Sequence, residues 1–120
     1  MDSKTDDIAS LIVEGIQERK GKKISVIDLA GIASAPAHKF VICQGTSTSH
    51  VTAVADSVRD YVCKHGGRKP YHDEGYRTAQ WIILDYGEVF LHVFLPDVRD
   101  RYRLEELWGD APVTDIPDLD

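Results

Sequence analysis

At 120 residues, 42% hydrophobic and 28% charged, the chain is long enough for one domain with its own core and too apolar for whole-chain disorder. A formal charge of -6 is poorly suited to binding phosphate backbones through a general positive field, and no direct nucleic-acid specificity is expected; a basic protein partner fits the sign better. No apolar run approaches the roughly 20 residues that span a bilayer. No secretory signal is seen, so Cys43 and Cys63 are expected as reduced thiols in a cytoplasmic protein without membrane contact.

Residues 7–20 predict a first helix, with Ile8, Leu11, Ile12 and Ile16 on one face and Gly21 as the stop. The β-branched run 23–29 predicts a strand. Ile24, Val26 and Asp28 point to one side of it, and Ser25, Ile27 and Leu29 to the other. A small-residue loop leads to a short buried strand at 39–44. After Gly45, the hydroxyls of "TSTS" offer caps for a second helix carrying Val51, Val54, Ala55, Val58, Tyr61 and Val62, stopped by Gly66-Gly67. The polar segment 68–78 predicts a loop with a short edge strand at its centre.

"WIILDYGEVFLHVFLP" (81–96) then predicts a hairpin, apolar on both faces but interrupted by Asp85 and His92. A turn at Tyr86-Gly87 would pair Asp85 with Glu88, Ile83 with Phe90 and Trp81 with His92. After Pro96 a last helix is expected, capped by Asp97, with Leu104, Leu107 and Trp108 as its apolar side. Within it, Tyr102 and Glu105 stand three residues apart and would support one another. The chain divides into one domain, 1–112, and an acidic, mobile tail, 113–120, with no period of its own. The element order predicts the α/β class: a mixed sheet flanked by helices, one hairpin face packed beneath helices and the other facing something else.

Few residues assemble into a chemical constellation. "GTSTSH" (45–50) could cradle a phosphate, but no D-x-D pair follows on the next strand, and a capped helix start explains it. His38, His50, His65, His72 and His92 lack metal-ligand spacing, so no metal and no cofactor is expected. "HDE" (72–74) in a polar loop reads as a solvated charge cluster. No serine or cysteine sits in a nucleophile signature, so no catalytic residue is assigned. Trp81 and His92 read equally as a core pair and as an interaction face with polar tips. Arg99, Arg101 and Arg103 lie early in the last helix, where the dipole disfavours cations; they call for a carboxylate, a backbone carbonyl or solvent.

Three segments in order resemble the ribosomal silencing factor family, also called iojap-like: "FVICQGTSTSHV", "WIILDYGEVFLHVF" and "RDRYRLEELW", within a match over roughly residues 6–112. The resemblance implies a nucleotidyltransferase-like α/β fold without the catalytic carboxylates. It also implies a translation repressor rather than an enzyme. Such a protein binds the large ribosomal subunit through its ribosomal protein numbered fourteen, blocks joining of the small subunit, and often forms a homodimer. Matched residue by residue, it carries over Trp81, Asp85, Gly87 and His92 from the hairpin, and Arg99, Tyr102, Leu104, Glu105 and Trp108 from the last helix. Of these, Trp81, Asp85, His92, Arg99, Tyr102 and Glu105 are the expected partner-binding residues. The chain departs from the family at His38-Lys39, where Asp-Tyr is common, and at Arg101, where an aromatic is common. The alternative is a nucleotidyltransferase-like enzyme with a displaced metal site built from Asp28 and Asp85.

Overall fold

The computed structural model of the chain describes residues 3–119. Helix α1 (Ser3–Glu18) buries Ile8, Ile12 and Ile16, one residue per turn of a single stripe. Strands β1 (Lys22–Asp28) and β2 (Lys39–Gln44) follow, then helix α2 (Thr48–Gly66). Next come the short edge strand β3 (His72–Glu74) and the hairpin of β4 (Trp81–Asp85) and β5 (Val89–Phe94). Helices α3 (Pro96–Tyr102) and α4 (Leu104–Leu107) and strand β6 (Val113–Ile116) complete the order. The sheet runs β3-β4-β5-β2-β1-β6, with β2 and β5 parallel and the other neighbours antiparallel. It is thus the expected mixed sheet flanked by helices.

The two faces of the sheet are covered differently. Ile24, Val41, Cys43, Ile82, Leu84, Leu91 and Val93 form one core with α1 and α2. The helices approach closely because position 15 is glycine: a Cβ there would stand 2.9 Å from the Cα of Val58. Ser57 Oγ, in turn, donates to the Gly15 carbonyl at 2.8 Å. The opposite face carries Ile27, Phe40, Ile42, Phe94 and His92. Loops and short helices lie over it, with Leu29, Ala37, Val98, Leu104 and Ala111 buried and Ile32, Ala35, Leu95 and Trp108 partly buried.

Four expectations change. The hairpin turns at Gly87-Glu88, not Tyr86-Gly87: Tyr86 N donates to Val89 O at 3.0 Å, and Asp85 stands opposite Phe90. Gly87 supplies the positive φ of 88° that this turn requires, and the Asp85 carboxylate accepts its N–H at 2.7 Å. Trp81 therefore pairs with Phe94 and Ile83 with His92. The slip is two residues, so every side chain keeps its expected face.

Asp97 is not a cap, because Pro96 opens α3 and Leu95 holds the cap position without a side-chain bond. The last helix breaks at Arg103, whose left-handed backbone (φ 47°, ψ 60°) separates α3 from α4. Tyr102 and Glu105 consequently do not share a helix face. Finally, residues 113–116, expected within a mobile tail, form the edge strand β6 on β1. Their side chains are mostly exposed, so no apolar period announces them; backbone pairing and Ser25 Oγ donating to Asp115 at 2.7 Å hold them.

Candidate protein-docking face

The less covered face of the sheet collects the hairpin residues singled out in the sequence. Trp81 leaves the start of β4 half-buried, stacked on Phe94 with ring centres 4.8 Å apart. Tyr102, 52% exposed at the end of α3, tilts against Trp81, also at 4.8 Å. The indole Nε1–H of Trp81 donates to His92 Nδ1 at 3.1 Å, a diagonal contact that the two-residue slip creates. An indole N–H can only donate, so Nδ1 of His92 is the acceptor and its proton sits on Nε2. His92 is 4% exposed, and burial pushes its pKa down to about 3, which keeps the ring neutral at physiological pH.

Beside this cluster runs an apolar groove of 380 Å³. Phe40, Ile83, Phe90, Leu107 and Trp108 line it, His92 forms part of its wall, and Glu74 and Asp85 stand along its rim; Asp73 faces the other side of the sheet, where it pairs with Arg59 at 3.0 Å. Phe40 stacks on Phe90 at 5.8 Å and meets His92 edge-on at 4.5 Å and Trp108 at 6.3 Å. Leu107, expected on a helix core side, is 68% exposed because the break at Arg103 turns α4 outward. The parallel pairing of β2 with β5 sets Phe40 directly beside Phe90.

The other expected site residues part company. Arg99 is 8% exposed: its guanidinium donates to the Lys23 carbonyl, to Ser25 Oγ at 3.2 Å and to Gln44 Oε1 at 3.3 Å. Glu105 completes this network, 3.6 Å from Arg99 Nε. The two therefore tie α3 and α4 to β1 and β2, and the carbonyl anticipated for a cation at this position is Lys23's. Trp81, His92 and Tyr102 come together; Asp85 sits at the groove rim; Arg99 and Glu105 form a separate, internal cluster. The groove residues Phe40, Ile83 and Phe90 were not foreseen as site residues. Their signal was apolar character on both faces of β2 and of the hairpin.

Two chemical alternatives lose their geometry here. Thr46 N, the amide a phosphate loop would offer, already donates to His50 Nδ1 at 2.9 Å, and His50 Nε2 meets the Arg19 carbonyl at 2.7 Å. Ser47 Oγ accepts from His50 N as the helix cap. Asp28 and Asp85 lie on β1 and β4, with β2 and β5 between them. Three strand spacings amount to about 14 Å, too far to share one metal ion. Among the described residues no group of three or more His, Cys, Asp or Glu could hold one. No described helix is long and apolar enough to cross a membrane.

Comparison with known proteins gives a consistent result. The family model described as "Ribosomal silencing factor during starvation" matches residues 2–120. A ribosomal silencing factor of Halalkalibacterium halodurans is 36% identical over 110 residues, 92% of each chain. That of Bacillus subtilis is 36% identical over 109 residues, 91% of each chain. A crystal structure of a protein from Chromobacterium violaceum superposes with a TM-score of 0.82 at 34% identity, covering 91% of this chain and 88% of that one.

Proposed function

The chain belongs to the ribosomal silencing factor family, a non-catalytic family that represses translation, and on that premise we propose that it acts as a steric plug on the large ribosomal subunit. Its docking site is the ribosomal protein numbered fourteen, on the surface that the small subunit must cover. Occupancy alone then blocks subunit joining, with no cofactor and no chemistry. The observation that carries this reading is the second sheet face: an aromatic surface that helices leave partly open, with carboxylates along one side. Aromatic residues of this kind dominate the energetics of protein interfaces, and the carboxylates suit a basic ribosomal protein.

The nucleotidyltransferase-like descent implied by the resemblance belongs to the same proposal. The β2–α2 step keeps the strand–turn–helix form, while its loop is closed by His50. Cytoplasmic residence follows from the partner, and homodimer formation is proposed for the protein away from the ribosome. Co-sedimentation tests the docking step. The protein should pellet with purified large subunits and not with small ones, and excess small subunits should displace it. Binding to the small subunit instead would refute the reading.

A further inference from the structure

Among the described residues, the buried polar atoms without a hydrogen-bond partner include His92 Nε2, Trp108 Nε1 and Glu105 Oε1. Two of them line the apolar groove. The Trp81 bond to Nδ1 fixes His92 as an Nε2–H donor, and Trp108 Nε1–H can only donate. A pair of stranded N–H groups among aromatic rings is a matched demand for two acceptors, since a buried donor left unpaired is costly. Water satisfies such groups when it can reach them; here both atoms are shielded from it. The helix that contributes Leu104 and Leu107 to the groove lining is slight. α4 spans four residues, begins at a left-handed Arg103, has no side-chain cap and carries Leu107 facing solvent.

We propose that the groove receives an extended, basic segment of the large-subunit protein on which the chain docks, whose backbone carbonyls accept from His92 Nε2–H and Trp108 Nε1–H as α4 shifts aside. This rests on the ribosome-docking reading and adds which atoms recognise the partner. Carbonyls along an extended segment supply acceptors at short intervals, which a lone hydroxyl does not. An apolar side chain of the segment packs against the stacked rings of Phe40 and Phe90. Its flanking lysine or arginine meets the carboxylates of Glu74 and Asp85 on the rim. Asp85 spends one oxygen on Gly87 N and keeps the other for such a contact. Trp81 is a positioning residue in this scheme, because its indole holds the imidazole in the donating tautomer.

The test uses purified large subunits and the full chain. Trp108→Phe removes an N–H that has no partner in the free protein, so its melting temperature should stay the same or rise. Its affinity for large subunits should nevertheless fall about tenfold, the scale of one buried hydrogen bond lost. A second pair guards against a packing effect. His92→Gln, which retains an N–H donor, should bind at least severalfold better than His92→Phe. Tight binding by wild type with equal binding by Trp108→Phe and His92→Phe would overturn the inference while leaving the docking reading intact. No binding by wild type would overturn the reading itself. Wild-type self-association that Trp108→Phe abolishes, with subunit binding unchanged, would assign the groove to a second copy and overturn the proposal.

Discussion

At the scale of single residues, burial separates groups that the sequence lists side by side. Arg99 and Tyr102 stand three residues apart, yet one is enclosed by Ser25, Gln44 and Glu105 while the other is half in solvent. Arg99→Met should therefore cost about 2 kcal/mol, since it strands a half-buried carboxylate and a backbone carbonyl; chemical denaturation measures this. Tyr102→Ala should leave the unfolding midpoint nearly unchanged and weaken large-subunit binding severalfold, read by co-sedimentation. His92 makes a pH prediction. Its folded pKa lies near 3, below the value of about 6.5 expected when unfolded, so the unfolded chain takes up the extra proton in between. Stability contributed by the neutral ring is complete above pH 6.5 and is lost as pH falls, by about 2 kcal/mol between pH 6.5 and 5. A His92→Phe variant should lack this part of the acid sensitivity; matching pH profiles for both proteins would contradict the assignment. These contrasts are only partly legible in the sequence. The alternation of the hairpin announces which face Trp81 and His92 share, but Arg99 is buried by partners 55 to 76 residues away, which no local pattern encodes.

At the scale of elements, what could be read depended on how much apolar surface each one buries. Helices α1 and α2 and strands β1, β2, β4 and β5 bury a stripe or a face and were anticipated within a few residues. Strand β6 buries almost nothing, and its Asp-rich, Pro-flanked sequence hides a role carried by backbone bonds. The hairpin turn was misplaced by one residue because both Tyr86-Gly87 and Gly87-Glu88 contain the glycine; the side-chain bond from Asp85 to Gly87 N selects the second. The departure at His38-Lys39 also acquires a local account: Lys39 pairs with Asp6 at 2.9 Å and ties β2 to α1. Deleting residues 113–120 should thus destabilise the protein by on the order of 2 kcal/mol, because β1 loses its outer partner. Large-subunit binding at a temperature where the shortened chain stays folded should persist, since β6 lies four strand spacings from β4, about 19 Å. A melting curve and a co-sedimentation experiment on the same truncation separate the two effects. An unchanged melting temperature would show that the edge strand contributes nothing to stability.

At the scale of the whole molecule, one side of the sheet is closed by two long helices and the other is left with short helices, aromatic rings and a carboxylate rim. That asymmetry suits a protein whose work is to cover a surface. Neither Asp28 with Asp85 nor the β2–α2 turn assembles a reactive centre. A plug differs from an enzyme in its dose dependence, because each bound copy silences one large subunit and no more. It also differs from an agent that splits ribosomes, because it needs its surface uncovered before it can bind. The yield of joined ribosomes on a density gradient tests this most directly, with separated subunits mixed at a low, fixed Mg²⁺ concentration and no nucleotide. Added before the small subunit, the protein should lower the yield in proportion to its occupancy of large subunits; added to ribosomes already joined, it should leave the yield unchanged. Joining that proceeds normally with large subunits saturated by the protein would contradict the account.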